Sequence, residues 1–406
     1  MDIVCSSKIK GFFYERFVDY INQGKQIGYV VTSNYINHTF SINQKHITLQ
    51  IIDESFYREI ILYTSLGLGE SYIKRRFITN NLYELLVMFI MISNEPSSYI
   101  NEIYMFILNN TIQCSLFHRN NIHTHYDVHE RLYKVMLDKR YMVYTCGYVN
   151  KNDNPETITL EKLQTNKMDL ICRKLELQNG MRILDIGCGY GGFLIYAAEN
   201  YNCSGVGFSI SKLQTDVGCK LVRQSGVPNV ELYEKDLSFL DTIPSNSFDR
   251  IVSIACFEHI KTSQYSYVFN NIKRILKPTG KGLIHAIGSV TNPVTHDSFI
   301  QTYIFPNSST MLLSDISCEL EKRNMGIVNV ENIARHYYYT LKHWLKRSRR
   351  EFKHNRNLYT SDFKKQWIMY LTMCMAMSKI GSVSLYQVTF NASGNINLSL
   401  HSISNV

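Results

Sequence analysis

"LDIGCGYGGF", residues 184–193, carries an apolar strand into a glycine-rich turn. Gly187, Gly189 and Gly192 fit the GxGxxG spacing, which by itself says only that a backbone turns tightly or passes close to a ligand. A dinucleotide, a phosphate group or S-adenosylmethionine can each be held in such a turn. The flanking residues decide which, and with it the fold.

Upstream, Leu160, Leu163, Met168, Ile171 and Leu175 fall on one stripe of a helix ending near "LELQNG". "MRILDIG" then reads as a strand, "FLIYAAENY" as a helix, "CSGVGFSI" as a second strand, and a further helix begins near Ser211. "FDRIVSIACF" is a buried strand, and "ILKPTGKGLIHAIGS" reads as a helix end, a Pro/Gly turn and the next strand. Strand–helix alternation of this kind predicts an α/β fold with a doubly wound, Rossmann-like parallel sheet. Its ligand belongs at the C-terminal ends of the central strands.

Before this region the pattern differs. Residues 1–108 mix alternating runs ("HITLQII", 46–52), a glycine-punctuated turn ("SLGLGESY", 65–72) and the helical "NLYELLVMFIMIS", predicting a smaller N-terminal α+β domain. Residues 109–126, rich in Asn and His, read as a linker, and 127–406 as the catalytic domain. No internal repeat or low-complexity tract is found.

At 406 residues, 45% hydrophobic and 19% charged, the chain is an ordered globular protein with room for two cores. The 28 Tyr and 20 Phe are core filler or the lining of an apolar cavity. A net charge of +9 favours an anionic partner, nucleic acid or membrane surface, without choosing between them. The ten cysteines show no CxxC pair and no zinc spacing, so free thiols in a reducing compartment are expected, and no metal site. The first residues lack an apolar h-region, and the longest apolar stretch, "LLVMFIMI", is far short of the ~20 residues a membrane span needs. A soluble or peripheral protein is expected.

A dinucleotide site calls for a carboxylate closing the second strand, but "GVGFSISKLQ" has none; a phosphate loop calls for GK[ST], and none follows. Asp185 stands inside the turn instead, where it repels a pyrophosphate and attracts the ammonium of a methionine moiety, directly or through water. That favours S-adenosylmethionine, with ribose contacts from neutral groups such as Ser209 and Gln214.

Taken together and in order, "LDIGCGYGGF", "VGFSISKLQ", "FDRIVSIACFEHI", "LIHAIGS" and "YIFPN" resemble the cyclopropane-fatty-acyl-phospholipid synthase family (mycolic acid cyclopropane synthases). So does "HYDVHERLYKVMLDKRYMVYTCGYV" upstream, and the likeness extends to "SLGLGESY" and to "LYQVTF" near the C-terminus. The resemblance implies a class I methyltransferase sheet and a cofactor pocket made by Tyr144 and Thr145; by Leu184, Asp185, Ile186, Gly187, Cys188, Gly189, Tyr190, Gly191 and Gly192; and by Ser209, Ile210, Ser211 and Gln214, with Asp236 near the adenosine. It also implies a bicarbonate site from Glu258, His285, Tyr337, Cys146 and Ile287, the last two through backbone. The cysteine the family associates with its active site matches Cys374, in an apolar, Met-rich stretch where a buried structural thiol is the plainer reading.

The chain departs from the family at "KRRFI" (74–78), where aromatic anchors give way to three cations, at "HYDVHER" for "HYDLGND", and at Val149 for a Trp. The implied reaction moves a methylene group from S-adenosylmethionine to the cis double bond of an unsaturated phospholipid acyl chain. A cis alkene is a feeble nucleophile, so the site must hold it dry and aligned. Tyr303, Phe305 and Tyr265 are candidates for stabilising the resulting carbocation with their ring faces, unless they only pack. A bicarbonate then suffices as base, because position matters more than basicity toward so acidic a cation. "HWLKRSRREFKHNR", 343–356, is a solvated helix face or a dock for anionic headgroups.

The resemblance further implies a cytoplasmic protein peripheral to the membrane, acting on unsaturated phospholipids, with a homodimer allowed. Three alternatives remain: a methyltransferase leaving methylated chains or acting on another small molecule, a nucleic-acid methyltransferase, and a lipid-carrying module. "ACFEHI" lacks the [DN]PP[YF] of amino-methylating nucleic-acid enzymes, so no nucleic-acid partner is expected.

Overall fold

The computed structural model describes residues 13–23, 31–34, 39–42, 47–94, 130–289, 297–306, 308 and 310–394. The stretch read as a linker, 109–126, and most of "HYDVHER" lie outside the described residues. The chain divides into two compact units. One comprises Met1–Glu130, His296–Asn307 and Trp344–Ser382; the other comprises Arg131–Thr295, Ser308–His343 and Val383–Val406.

In the second unit seven strands form one sheet: β5 (Arg182–Ile186), β6 (Ser204–Ser209), β7 (Val230–Glu234), β8 (Phe248–Ile254), β9 (Leu276–Gly288), β10 (Gly326–Asn332) and β11 (Ser384–Asn391). Their order is β10-β11-β9-β8-β5-β6-β7. The strands from β9 to β7 run parallel, and β11 is antiparallel to both β9 and β10. This is the doubly wound α/β sheet expected. β5 is the switch point, its neighbours β6 and β8 leading the chain to opposite sides and leaving a crevice at its C-terminal end.

Both faces of the sheet are covered, which is why its strands read as nearly continuous apolar runs. On one face Met168 and Ile171 from the helix Leu160–Lys174, with its C-cap Leu175, pack with Ile183 and with Phe193 to Ala198 of the helix Gly192–Tyr201. On the other, Leu184 and Ile186 join Phe269 and Ile272 of the helix Tyr265–Ile275. Each fully buried Leu or Ile of this kind contributes roughly 1.5–3 kcal/mol. Thr159 caps the first of these helices by accepting from the N–H of Lys162, and Ser211 likewise caps Lys212–Ser225.

The Pro/Gly turn expected inside "ILKPTGKG" is instead a bulge within β9. Phe248 pairs with Leu276 but Arg250 with Lys281, so the extra β9 residues bow out without ending the strand.

The first unit contains a four-stranded antiparallel sheet, β1 (Val31–Asn34), β2 (Thr39–Ile42), β3 (Ile47–Ile51) and β4 (Phe77–Thr79), in sequential order. The alternation of "HITLQII" appears as alternating burial along β3. Around Phe17, Phe56, Tyr57 and Phe89 an aromatic cluster packs mostly edge to face. "SLGLGESY", read as a turn, is helical. It completes Ser55–Ile73, whose axis breaks earlier, at Thr64 (φ 46°). The glycines serve contact: a Cβ on Gly67 would sit 1.9 Å from the carbonyl oxygen of Glu59, and one on Gly69 would sit 2.0 Å from the Phe299 ring.

Candidate active site

The turn after β5 is stitched to β6 by two bonds, the N–H groups of Gly187 and Cys188 both donating to the carbonyl of Phe208. Gly187 has φ +78°, and a Cβ there would lie 2.4 Å from Sγ of Cys256, so this glycine serves the fold. Gly189, at φ +57°, faces open space with nothing within 4 Å of a Cβ. Asp185 is buried, and its Oδ1 has no hydrogen-bond partner. Burial pushes its carboxyl up to about 7 against the pull of Lys167. A buried carboxylate oxygen without a partner is costly unless a ligand group such as an ammonium satisfies it.

Leu184, Ile186 and Tyr190 are buried, the first two in the sheet's core, while Gly191 caps the following helix and Gly192 begins it. At the end of β6, Ser209 donates to Oε1 of Gln214 over 3.0 Å, Ser211 caps the helix, and Ile210 between them is 76% exposed. Asp236, beyond β7, is fully exposed and accepts from the N–H and hydroxyl of Ser238, which lower its pKa. Tyr144 packs its ring edge to face with Tyr133. Thr145 is held from the helix Leu160–Lys174: Gln164 donates to its carbonyl over 2.8 Å, and the buried ammonium of Lys167 to its hydroxyl over 3.1 Å.

The residues expected to hold an anion lie on neighbouring elements. The N–H of Ile287 donates to Oε1 of Glu258 over 2.6 Å. His285 lies two residues earlier on β9, and Ile287 and Tyr337 pack against a cluster of Cys146, Ile333, Ala334 and Leu385. Glu258 and His285 are buried, and each keeps one polar atom without a partner, Oε2 and Nε2. Burial pushes the Glu258 carboxyl up to about 7 and holds His285 well below its ordinary pKa, so the imidazole is neutral. Burial also pushes the Cys146 thiol up, leaving it no thiolate character.

Residues 115–388 match the family of mycolic acid cyclopropane synthetases. This chain belongs to that family. It is 31% identical over 351 residues to the cyclopropane-fatty-acyl-phospholipid synthase of Escherichia coli K12, covering 84% of this chain and 87% of that one. The cyclopropane synthase MmaA2 of Mycobacterium tuberculosis superposes with a TM-score of 0.60 at 27% identity, over 66% of this chain and 95% of that one. The mycolic acid cyclopropane synthase CmaA1, solved with SAH and CTAB, gives 0.59 at 27% identity, over 66% and 96%. The chain is therefore an enzyme of the methyltransferase class, with the class I S-adenosylmethionine-dependent methyltransferase fold.

The remaining residues singled out from the sequence belong to other elements. Cys374 sits in the first unit on the helix Ser361–Ile380, its thiol pushed up by burial. Tyr303 and Phe305 also belong to the first unit, where Tyr303 donates to Glu70 and Phe305 packs on Tyr370. Tyr265 is in the sheet's core against Phe257 and Phe269. Of the three cations in "KRRFI", Lys74 pairs with Glu70 at 2.6 Å, and Arg76 lies 3.7 Å from Glu59. Among the described residues no helix is long and apolar enough to cross a membrane.

Gln164, Lys167, Lys174 and Gln387 were not singled out from the sequence. The signal for Gln164 and Lys167 was available: polar residues interrupting the buried stripe of an amphipathic helix. Gln387 had none, being one of several polar residues in its strand, with Ser384, Thr389 and Asn391.

Proposed function

We propose that this enzyme transfers a methylene group from S-adenosylmethionine to the cis double bond of unsaturated acyl chains in membrane phospholipids, closing a cyclopropane ring through a carbocation that bound bicarbonate deprotonates. The observation that carries the reading is the pair of buried polar atoms without partners, Glu258 Oε2 and His285 Nε2, next to the apolar cluster of Cys146. Unpaired, each costs folding free energy of about 1–3 kcal/mol, which a bound anion recovers.

S-adenosylmethionine, when bound, supplies an electrophilic methyl group. Asp185 attracts its ammonium end, and Ser209 and Gln214 offer neutral hydrogen-bonding groups to the ribose. Thr145, pinned by Gln164 and Lys167, fixes the Tyr144–Thr145 segment of the pocket. Around the second site Ile333, Ala334 and Leu385 exclude water, which protects a carbocation from capture. Bicarbonate, when bound, supplies a weak base. Glu258 accepts its hydroxyl through Oε2, and His285 and Tyr337 donate to its oxygens. The exposed Lys346, Arg349 and Arg350 meet anionic headgroups at the cytoplasmic face of the membrane.

The test is incubation with vesicles of unsaturated phospholipid and methyl-labelled S-adenosylmethionine. Labelled fatty acid, heavier by one CH2 and resistant to mild hydrogenation, is the expected ring. A labelled chain that takes up hydrogen is a methylated alkene and supports the alternative, a methyltransferase that stops at methylation. Absence of label from lipid would overturn the lipid reading and favour a small-molecule substrate.

A further inference from the structure

A run of buried polar side chains extends from His285 away from the anion site. Gln387 lies directly opposite His285 in the β9–β11 register, and its amide nitrogen is 3.1 Å from Nδ1. The other end of the same amide, Oε1, accepts from the ammonium of Lys174 over 2.8 Å. Lys174 also donates to Glu331, which accepts in turn from the hydroxyl of Tyr148 over 3.1 Å. Lys174, Gln387 and His285 are all buried.

Donor and acceptor chemistry orients this run. An ammonium can only donate, so the amide atom facing Lys174 must be the oxygen. The end facing His285 is then NH2, which needs a lone pair on Nδ1. A neutral imidazole with its lone pair on Nδ1 carries its proton on Nε2, the nitrogen left without a protein partner. Glu331 balances the buried charge of Lys174 without reaching the ring.

We propose that Lys174, acting through Gln387, is a positioning residue that holds His285 as its Nε2–H tautomer, so that the ring donates to the bound anion and cannot itself take the substrate's proton. The functional half rests on the bicarbonate reading above; the tautomer does not. It follows that the site selects a ligand with acceptor oxygens and that the base is the anion rather than the histidine.

The experiment is a long-range proton–nitrogen correlation spectrum of histidine-labelled protein, with His285 assigned by comparison with His285→Asn. The expected pattern is a protonated Nε2 and a bare Nδ1. Gln387→Glu keeps the size and the bond to Lys174 but turns an acceptor toward Nδ1, so the proton should move to Nδ1. Lys174→Met frees the amide to turn, and the single tautomer should be lost; Lys174→Arg should restore it. In Gln387→Glu the carbonate needed for half-maximal ring formation should rise at least tenfold, with cofactor affinity unchanged. A protonated Nδ1 in the unmodified protein overturns the proposal, as does an unmoved pattern in folded Gln387→Glu and Lys174→Met. If the unmodified enzyme proves indifferent to carbonate, the bicarbonate reading fails while the spectrum still decides the tautomer.

Discussion

Ile287 and Glu258 form a clasp: the main-chain N–H of β9 occupies Oε1 of the carboxyl at 2.6 Å and leaves Oε2 buried and unpartnered. The free oxygen is thereby aimed rather than mobile. Glu258→Gln keeps the size but turns an NH2 group toward a ligand hydroxyl that needs an acceptor. Ring formation should fall by about 10²–10⁴-fold, the usual worth of a placed acid–base group, with cofactor affinity unchanged by calorimetry. Methylated, unclosed chains should appear among the products. Full ring yield from this variant in carbonate-free buffer would remove the anion site from the mechanism.

The same carboxyl and that of Asp185 make the protein pay for its site in stability. Both are raised to about 7 by burial, from ordinary values of 4.5 and 3.8. An unfolded chain releases these protons first, so the folded state loses stability as pH rises from about 4 through about 7. For each group the loss at alkaline pH is on the order of 3–4 kcal/mol. Asp185→Asn and Glu258→Gln should therefore resist urea better than the unmodified protein at pH 8, and gain little at pH 4. An advantage of equal size at both pH values would contradict this origin.

Gly187 and Gly189 should respond differently to alanine. At Gly187 the new methyl meets Cys256 at 2.4 Å, so Gly187→Ala should lower the melting temperature along with cofactor affinity. At Gly189 it meets nothing, and only the left-handed backbone resists, at a cost of about 1–2 kcal/mol. Gly189→Ala should stay folded yet bind S-adenosylmethionine at least tenfold more weakly. Undiminished calorimetric binding by that variant would place the ligand elsewhere.

Vesicle binding should rise with anionic lipid and fall with salt, since surface charges are screened over about 8 Å at physiological ionic strength. Replacing Lys346, Arg349 and Arg350 together with Gln should abolish that dependence. Lys74→Gln should matter less, because Lys74 is already engaged by Glu70. Equal sedimentation with neutral and anionic vesicles would show these cations to be ordinary solvated surface.

The catalytic sheet was legible because its signals are local: a helical stripe from Leu160 to Leu175, an apolar strand into a glycine turn, and strand–helix alternation. Gly67 and Gly69 misled because the cause of each lies in space, at Glu59 and Phe299, while the sequence presents a turn composition. The Pro278–Gly280 stretch misled for a related reason, since a bulge and a turn use the same residues. Glu258, His285 and Tyr337 are isolated side chains far apart in sequence, and only a family resemblance joined them. Lys174 and Gln387 stayed hidden because a lysine near a helix end ordinarily reads as solvated, and its burial becomes evident only when β11 is in place beside β9.

The first unit takes its final helix, Ser361–Ile380, from close to the end of the chain, and that helix packs on Ser55–Ile73 and Leu82–Asn94. Domains built from contiguous sequence close their cores as they leave the ribosome, at roughly 5–20 residues per second. Here Phe56, Leu85 and Met88 are synthesised hundreds of residues before the surface that completes their core. For tens of seconds, by that rate, the nascent chain carries an open apolar face that invites chaperones and aggregation alike. The enzyme's yield in a cell is thus tied to the speed with which the stretch between Asn94 and Ser361 is read.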